Sequence, residues 1–133
     1  MSAIRTAVNP VTWSLAMGFN QGEAVTGASR ILYLSGQTAM SPEGVPMHDG
    51  DMAAQLGLAV ENLEAVLAEA GMTLAHLVRL NVYTTDVDGL LPHYGVLAER
   101  LSAAGVAPVS TMLGVARLAV PGQLVELEGT AVS

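Results

Sequence analysis

Residues 76–86 read HLVRLNVYTTD, and the alternation inside this stretch decides the fold. In an extended chain successive side chains point to opposite faces, so Val78, Leu80 and Val82 fall on one side and Arg79, Asn81 and Tyr83 on the other. A strand built this way needs apolar cover on one face only. The flanking sequence supplies it. Upstream, between Met52 and Ala70, the apolar residues Met52, Leu56, Ala59, Val60, Leu63, Val66, Leu67 and Ala70 recur at helical spacing. Glu61, Glu64 and Glu69 lie off that face, Asp49 or Asp51 can cap the start, and Gly71 stands where a helix ends. Downstream, Asp86 and Asp88 precede a second helical run carrying Leu90, Tyr94, Leu97, Leu101 and Ala104, closed by Gly105.

Outside this centre the pattern is shorter. The runs IRTAV, WSLAMG, GEAVTG and ILYLSGQTAM, separated by turn residues, predict strands of an antiparallel meander. Two more strands are predicted about STMLGVAR and LVELEGTAV. In the last, Val125, Leu127, Gly129 and Ala131 share one face, and Leu124, Glu126 and Glu128 share the other. Strands, helix, strand, helix and two strands in that order imply an α+β sandwich, one domain over 1–133, with two helices covering one face of a mixed sheet. The face left over is expected to carry Arg79, Asn81, Tyr83, Ser110, Met112, Leu124, Glu126 and Glu128. No helix remains to cover it, so it should meet another subunit, and clefts between subunits become the natural place for a site.

Composition agrees with association and narrows the chemistry. Apolar residues make up 51% of the chain and charged ones 13%, against the roughly 25% charged expected of a soluble protein. No stretch is long and apolar enough to span a bilayer, and the N-terminal MSAIRTAVNP lacks a signal-peptide layout, so a cytoplasmic protein without a membrane partner is expected. The net charge of −7 repels phosphate backbones, which argues against nucleic acid as a partner and against RNA cleavage. Without cysteine there is no thiolate nucleophile and no cysteine-held metal. His48, His76 and His93 show no i, i+4 pairing, so no metal site is expected, and acid–base or electrostatic chemistry remains.

Four pieces of the chain, in order, resemble the RidA (YjgF/Yer057c) family. They are FNQ at 19–21 leading to ILYLSGQTAM at 31–40, AVENLEAVLAEAGM at 59–72, VRLNVYTTD at 78–86 and GVARLAVPGQLVELEGTAV at 114–132. The resemblance covers nearly the whole chain. It implies a chorismate-mutase-like (RidA-type) fold, a homotrimer with three pockets between subunits, and hydrolysis of small enamines or imines to a keto acid and ammonia with no cofactor and no metal. In the family an arginine within P-A-R-[ST] grips the substrate carboxylate, a glutamate in the last strand positions or activates water, and an N-terminal tyrosine closes the pocket. On this chain the glutamate matches Glu126, the glycine of the SGQ turn Gly36, and the central-strand aromatic Tyr83. The tyrosine position falls on Phe19, which keeps the ring and lacks the hydroxyl. The arginine position falls on Ser110, so the carboxylate clamp is missing.

A guanidinium–carboxylate pair contributes on the order of 1.5–3 kcal/mol, which a serine hydroxyl does not replace. Two functions follow. One is a cofactor-free hydrolase or deaminase with altered substrate preference, Glu126 directing water and Phe19, Gly36, Arg79, Tyr83, Ser110, Thr111 and Met112 binding substrate. The other is a trimer that binds or senses a small molecule without turning it over. Arg79 reads either as a displaced clamp or as a cross-sheet partner of Glu126 or Glu128. Arg117 reads as a strand-end surface charge. Glu126 reads equally as a carboxylate held in an interface for structural reasons. Met17 can line the pocket, Trp13 reads as packing or as a residue of the pocket rim, and with no histidine paired to it Ser110 is no nucleophile.

Overall fold

The computed structural model describes residues 3–133; the first two residues of MSAIRTAVNP lie outside the described residues. Residues 76–86 do hold the strand at the centre, β4 (Leu77–Thr84). With β3 (Ile31–Gln37), β5 (Val109–Gly114) and β6 (Val125–Val132) it builds a four-stranded mixed sheet in the order β3-β6-β4-β5. β6 runs antiparallel to β3 and β4, whereas β5 runs parallel to β4. A parallel pair needs a long crossover, and the helical stretch after β4 provides it. β1 (Ile4–Val8) and β2 (Gly22–Thr26) form a separate antiparallel pair. Arg5 ties that pair to the sheet: its guanidinium donates to Glu23 Oε1 at 2.6 Å and to the Leu77 carbonyl at 2.6 Å.

The predicted meander is corrected in two places. WSLAMG is no strand but a short 3-10 helix, Trp13–Met17, closed by Gly18 at φ 86, whose N–H returns to the Leu15 carbonyl while the Phe19 N–H returns to that of Ser14. A positive φ is the conformation glycine adopts without penalty, and it turns the chain before a strand can extend. ILYLSGQ pairs with β6 at the far end of the chain rather than with its sequence neighbour.

The first helix, α1 (Met52–Glu69), matches its periodicity. Asp51 caps it, Oδ1 accepting from the Ala54 N–H at 3.0 Å, and Gly71 closes it at φ 74. The second helix is broken into α2 (Val87–Leu90), a 3-10 turn at Leu91–His93 and α3 (Gly95–Ala103). Pro92 has no N–H to give to the preceding turn, so a continuous helix cannot run through it. Leu90, Leu97 and Leu101 nevertheless reach the core.

That core lies between the helices and one sheet face. Leu56, Leu63, Leu67, Leu80, Val82 and Leu127 are fully buried there, each contributing about 1.5–3 kcal/mol. Val78 is not among them. A bulge pairs Leu77 with Ala131 and Arg79 with Thr130, leaving Val78 as the extra residue, so Leu77 takes the buried place expected of it.

Candidate functional site

Register decides which candidate residues meet, because cross-strand partners share a sheet face. On the face away from the helices, Tyr33, Thr130 and Arg79 form one row, Glu128, Asn81 and Thr111 the next, and Glu126, Tyr83 and Leu113 a third. The rows expected to be apolar, Leu34–Gly129–Leu80 and Leu127–Val82, face the helices.

Ser110 and Met112 do not join the polar face, contrary to the sequence reading. Ser110 pairs with Leu80 and Met112 with Val82, which puts both on the helix side. Thr111 and Leu113 hold the polar-face positions instead. Alternation alone puts Ser110 and Met112 on one face without fixing which, and the parallel register with β4 makes it the helix side. Leu124 also departs from expectation: it precedes β6 and packs against the core. β5 ends at Gly114, so Arg117 lies beyond the strand, exposed.

On the polar face Glu128 accepts from Tyr83 Oη at 2.8 Å and from Asn81 Nδ2 at 3.1 Å. These two donors hold its carboxyl below the ordinary carboxylate range, and giving its proton to Glu128 pushes the Tyr83 phenol up. Arg79 is not the partner of either glutamate: among the described residues it has no carboxylate within 4.0 Å and reaches only Asn81 Oδ1 at 3.4 Å. Glu126 lies over Gly36, where a bulge in β3 opposes β6. A Cβ at Gly36 would stand 2.5 Å from Glu126 Oε1. Only glycine leaves room for the carboxylate there. Gly36, Tyr83 and Glu126 therefore do come together, with Thr111 and Arg79 further along the same face.

The other candidates gather on the opposite side, at the β5 edge. A pocket of about 390 Å³ is lined there by Ser110 and Met112 of β5 and by Met17 and Phe19 of the loop after β1. Trp13, from the same loop, and Leu91 and Tyr94, from the helical break, complete it. The loop is docked by the Asn20 N–H donating to the Ala107 carbonyl at 3.1 Å, and by Asn9, which holds Asn20 and the Gln21 N–H. Trp13 and Phe19 meet edge to face with ring centres 5.9 Å apart. Ser110 Oγ donates to the Leu80 carbonyl at 2.7 Å. Burial raises the Tyr94 phenol. Sequence reasoning leaves Trp13 between packing and the pocket rim, puts Tyr94 on the apolar helix face and passes over Leu91; the signal available is the helix break at Pro92, which turns this part of the second helix toward the β5 edge. Among the described residues no group of three or more histidines, aspartates and glutamates is placed to hold a metal ion, and no helix is long and apolar enough to cross a membrane.

A mixed β3-β6-β4-β5 sheet with helices on one face, a carboxylate folded over a glycine bulge on the other and an apolar pocket at the sheet edge defines an α+β protein of the chorismate-mutase-like, RidA-type architecture. A sequence model of the family described as Endoribonuclease L-PSP matches residues 14–133, and this chain belongs to that family, the RidA/YjgF proteins. Protein DfrA of Myxococcus xanthus is 33% identical over 107 residues, 80% of this chain and 79% of that protein. Among solved structures, a Rid family protein of unknown function from Yersinia pestis superposes with a TM-score of 0.83 at 30% identity, covering 97% of this chain and 98% of the other. A YjgF/YER057c/UK114 family member from Mycobacterium tuberculosis gives a TM-score of 0.67 at 31% identity, covering 98% and 100%.

Proposed function

We propose that this chain is a cofactor-free hydrolase of small enamines or imines that works as a cytoplasmic homotrimer on substrates lacking a carboxylate at the Ser110 end. The observation that carries the reading is the state of Ser110: its only proton goes to the Leu80 carbonyl, and no residue lining the pocket bears a positive charge. A substrate carboxylate meets neither a cation nor a free serine proton there. The reaction needs little else. Water adds to the carbon of the C=N bond while Glu126 takes its proton, the carboxylic acid so formed returns that proton to nitrogen, and a second shuttle through Glu126 moves the carbinolamine's hydroxyl proton to nitrogen, so that C–N cleavage releases ammonia as the carbonyl forms. Within one chain Glu126 stands on the sheet face opposite the pocket, so its partner in this reading is the pocket of a neighbouring copy. The exposed Tyr33 (76%), Trp13 (61%) and Met17 (55%) give such a neighbour apolar surface to cover.

The test compares ammonia release from freshly generated 2-aminoacrylate and from acetone imine, which has the same skeleton without the carboxylate. Faster release from acetone imine is expected, with loss of the activity in Glu126→Gln. No acceleration of either would refute hydrolysis. It would leave the second reading, a small-molecule binding trimer, which is favoured by the lack of a base among the described residues that line the pocket. The family's description names an endoribonuclease; a net charge of −7 argues against RNA as the substrate here.

A further inference from the structure

The pocket at the β5 edge has a chemical preference of its own. Three aromatic rings reach it from separate segments: Trp13 from the 3-10 helix, Phe19 from the loop behind it and Tyr94 from between α2 and α3. Two thioethers, Met17 and Met112, stand among them, and sulfur packs favourably against ring edges. None of the lining side chains carries a formal charge. At about 390 Å³ the space suits a ring with a short substituent. Trp13 and Tyr94 bring an N–H and an O–H to the lining, and Ser110 is the polar group whose own bonding fixes what it can offer. A hydroxyl has one proton, a carbonyl can only accept, and the 2.7 Å contact with Leu80 O commits that proton. What Ser110 shows the pocket is therefore lone pairs.

We infer that the pocket takes an uncharged aromatic molecule that donates an N–H to Ser110 Oγ, the aryl-substituted imines being the members of this class that the proposed reaction would consume. The naming of imines rests on the hydrolase reading; the ring and the N–H donor rest on the pocket alone. An aromatic carboxylate of the same outline would set its oxygens against the serine lone pairs, with no cation in the lining to offset its lost hydration.

Benzamide and benzoate share a shape and differ in the group that matters, and acetamide keeps the amide without the ring. The chain has one tryptophan, and it lines the pocket, so Trp13 emission reports occupancy directly. Benzamide should change that emission saturably and bind at least about tenfold tighter than benzoate or acetamide. Ser110→Ala should weaken benzamide about fivefold, the equivalent of one lost hydrogen bond. Ser110→Arg should reverse the preference toward benzoate. Equal binding of benzamide and benzoate, acetamide binding as well as benzamide, or no effect of Ser110→Ala would each overturn the inference. So would three silent probes, the result expected if a second copy simply fills the pocket. Should benzamide bind as described while no imine releases ammonia, the hydrolase reading fails and the ligand class stands.

Discussion

At the scale of single residues, two small features control the polar face. Gly36 gives Glu126 its position, since an added Cβ would lie 2.5 Å from Oε1 and 2.7 Å from Cδ. The carboxylate is the far end of a flexible chain, so it can swing aside with little loss of stability, and what changes is where it points. Gly36→Ala should keep its melting temperature within a few degrees and lose imine hydrolysis about tenfold or more, approaching Glu126→Gln, as steady-state kinetics would read. Glu128 is governed by its donors instead. Asn81 and Tyr83 depress it below its ordinary 4.5, so its contribution to stability is complete above about that pH and is lost as pH falls through the lowered folded value. Tyr83 is raised above 10.0, first by its bond to Glu128, so its contribution is complete below that pH and disappears as pH rises through the raised value. Tyr83→Phe removes one of the two donors. Melting curves against pH should show a plateau lower by about 1 kcal/mol, a shallower acid limb kept alive by Asn81, and no alkaline limb from this pair.

At the scale of elements, the start of α1 is held by a side chain that periodicity alone hides. Gln55 is fully buried, gives Nε2 to the His48 and Gly122 carbonyls at 3.0 Å each and accepts from the Leu124 N–H at 2.7 Å. It thereby fastens the loop before α1 and the loop before β6 to the same helix. Gln55→Leu would leave the Gly122 carbonyl and the Leu124 N–H without partners in a dry site, the His48 carbonyl keeping the Asp51 N–H, and urea unfolding should lose about 2–4 kcal/mol. A polar residue beside Leu56 on an apolar face looks like an ordinary edge of the stripe, because its partners lie 67 and 69 positions away. The same limit separates what was legible from what was not. α1 with its Asp51 cap and Gly71 stop, the alternation at Leu80 to Tyr83 and the mixed sheet were all readable, since each rests on local spacing. The bulge at Val78, the helix break at Pro92 in its full consequence and the face of β5 depend on register with distant strands. Site reading followed this division: Tyr83 and Glu126 share a face as their strand parity predicts, with Gly36, which the family resemblance supplied, beneath Glu126, while Ser110 and Met112 turned to the other side of the sheet once β5 paired parallel to β4.

At the scale of the whole molecule, the two halves of the proposed site point away from each other within one chain. Glu126 and Gly36 stand on the open sheet face, and Phe19, Tyr94 and Ser110 surround the pocket at the helix-side edge. Catalysis by the proposed route is then a property of the assembly, with a mass in solution three times the 13.7 kDa of the chain. Mixing separates this arrangement from any that places both halves in one chain. Glu126→Gln removes the base and leaves the pocket, whereas Met112→Arg fills the pocket and leaves the base. Each homotrimer should be inactive toward acetone imine. After unfolding and refolding together in equal amounts, subunits combine at random, and a site is complete wherever the base comes from a Met112→Arg chain and the pocket from a Glu126→Gln chain. About one quarter of all sites meet that condition in a closed ring of heterologous interfaces. Ammonia release should therefore recover to about a quarter of the unmodified level, and should fall away when one variant is present in large excess. Recovery needs the two halves to come from different copies, so a mixture as inactive as its components would place the chemistry elsewhere, and a trimer mass without recovery would show association that completes no site.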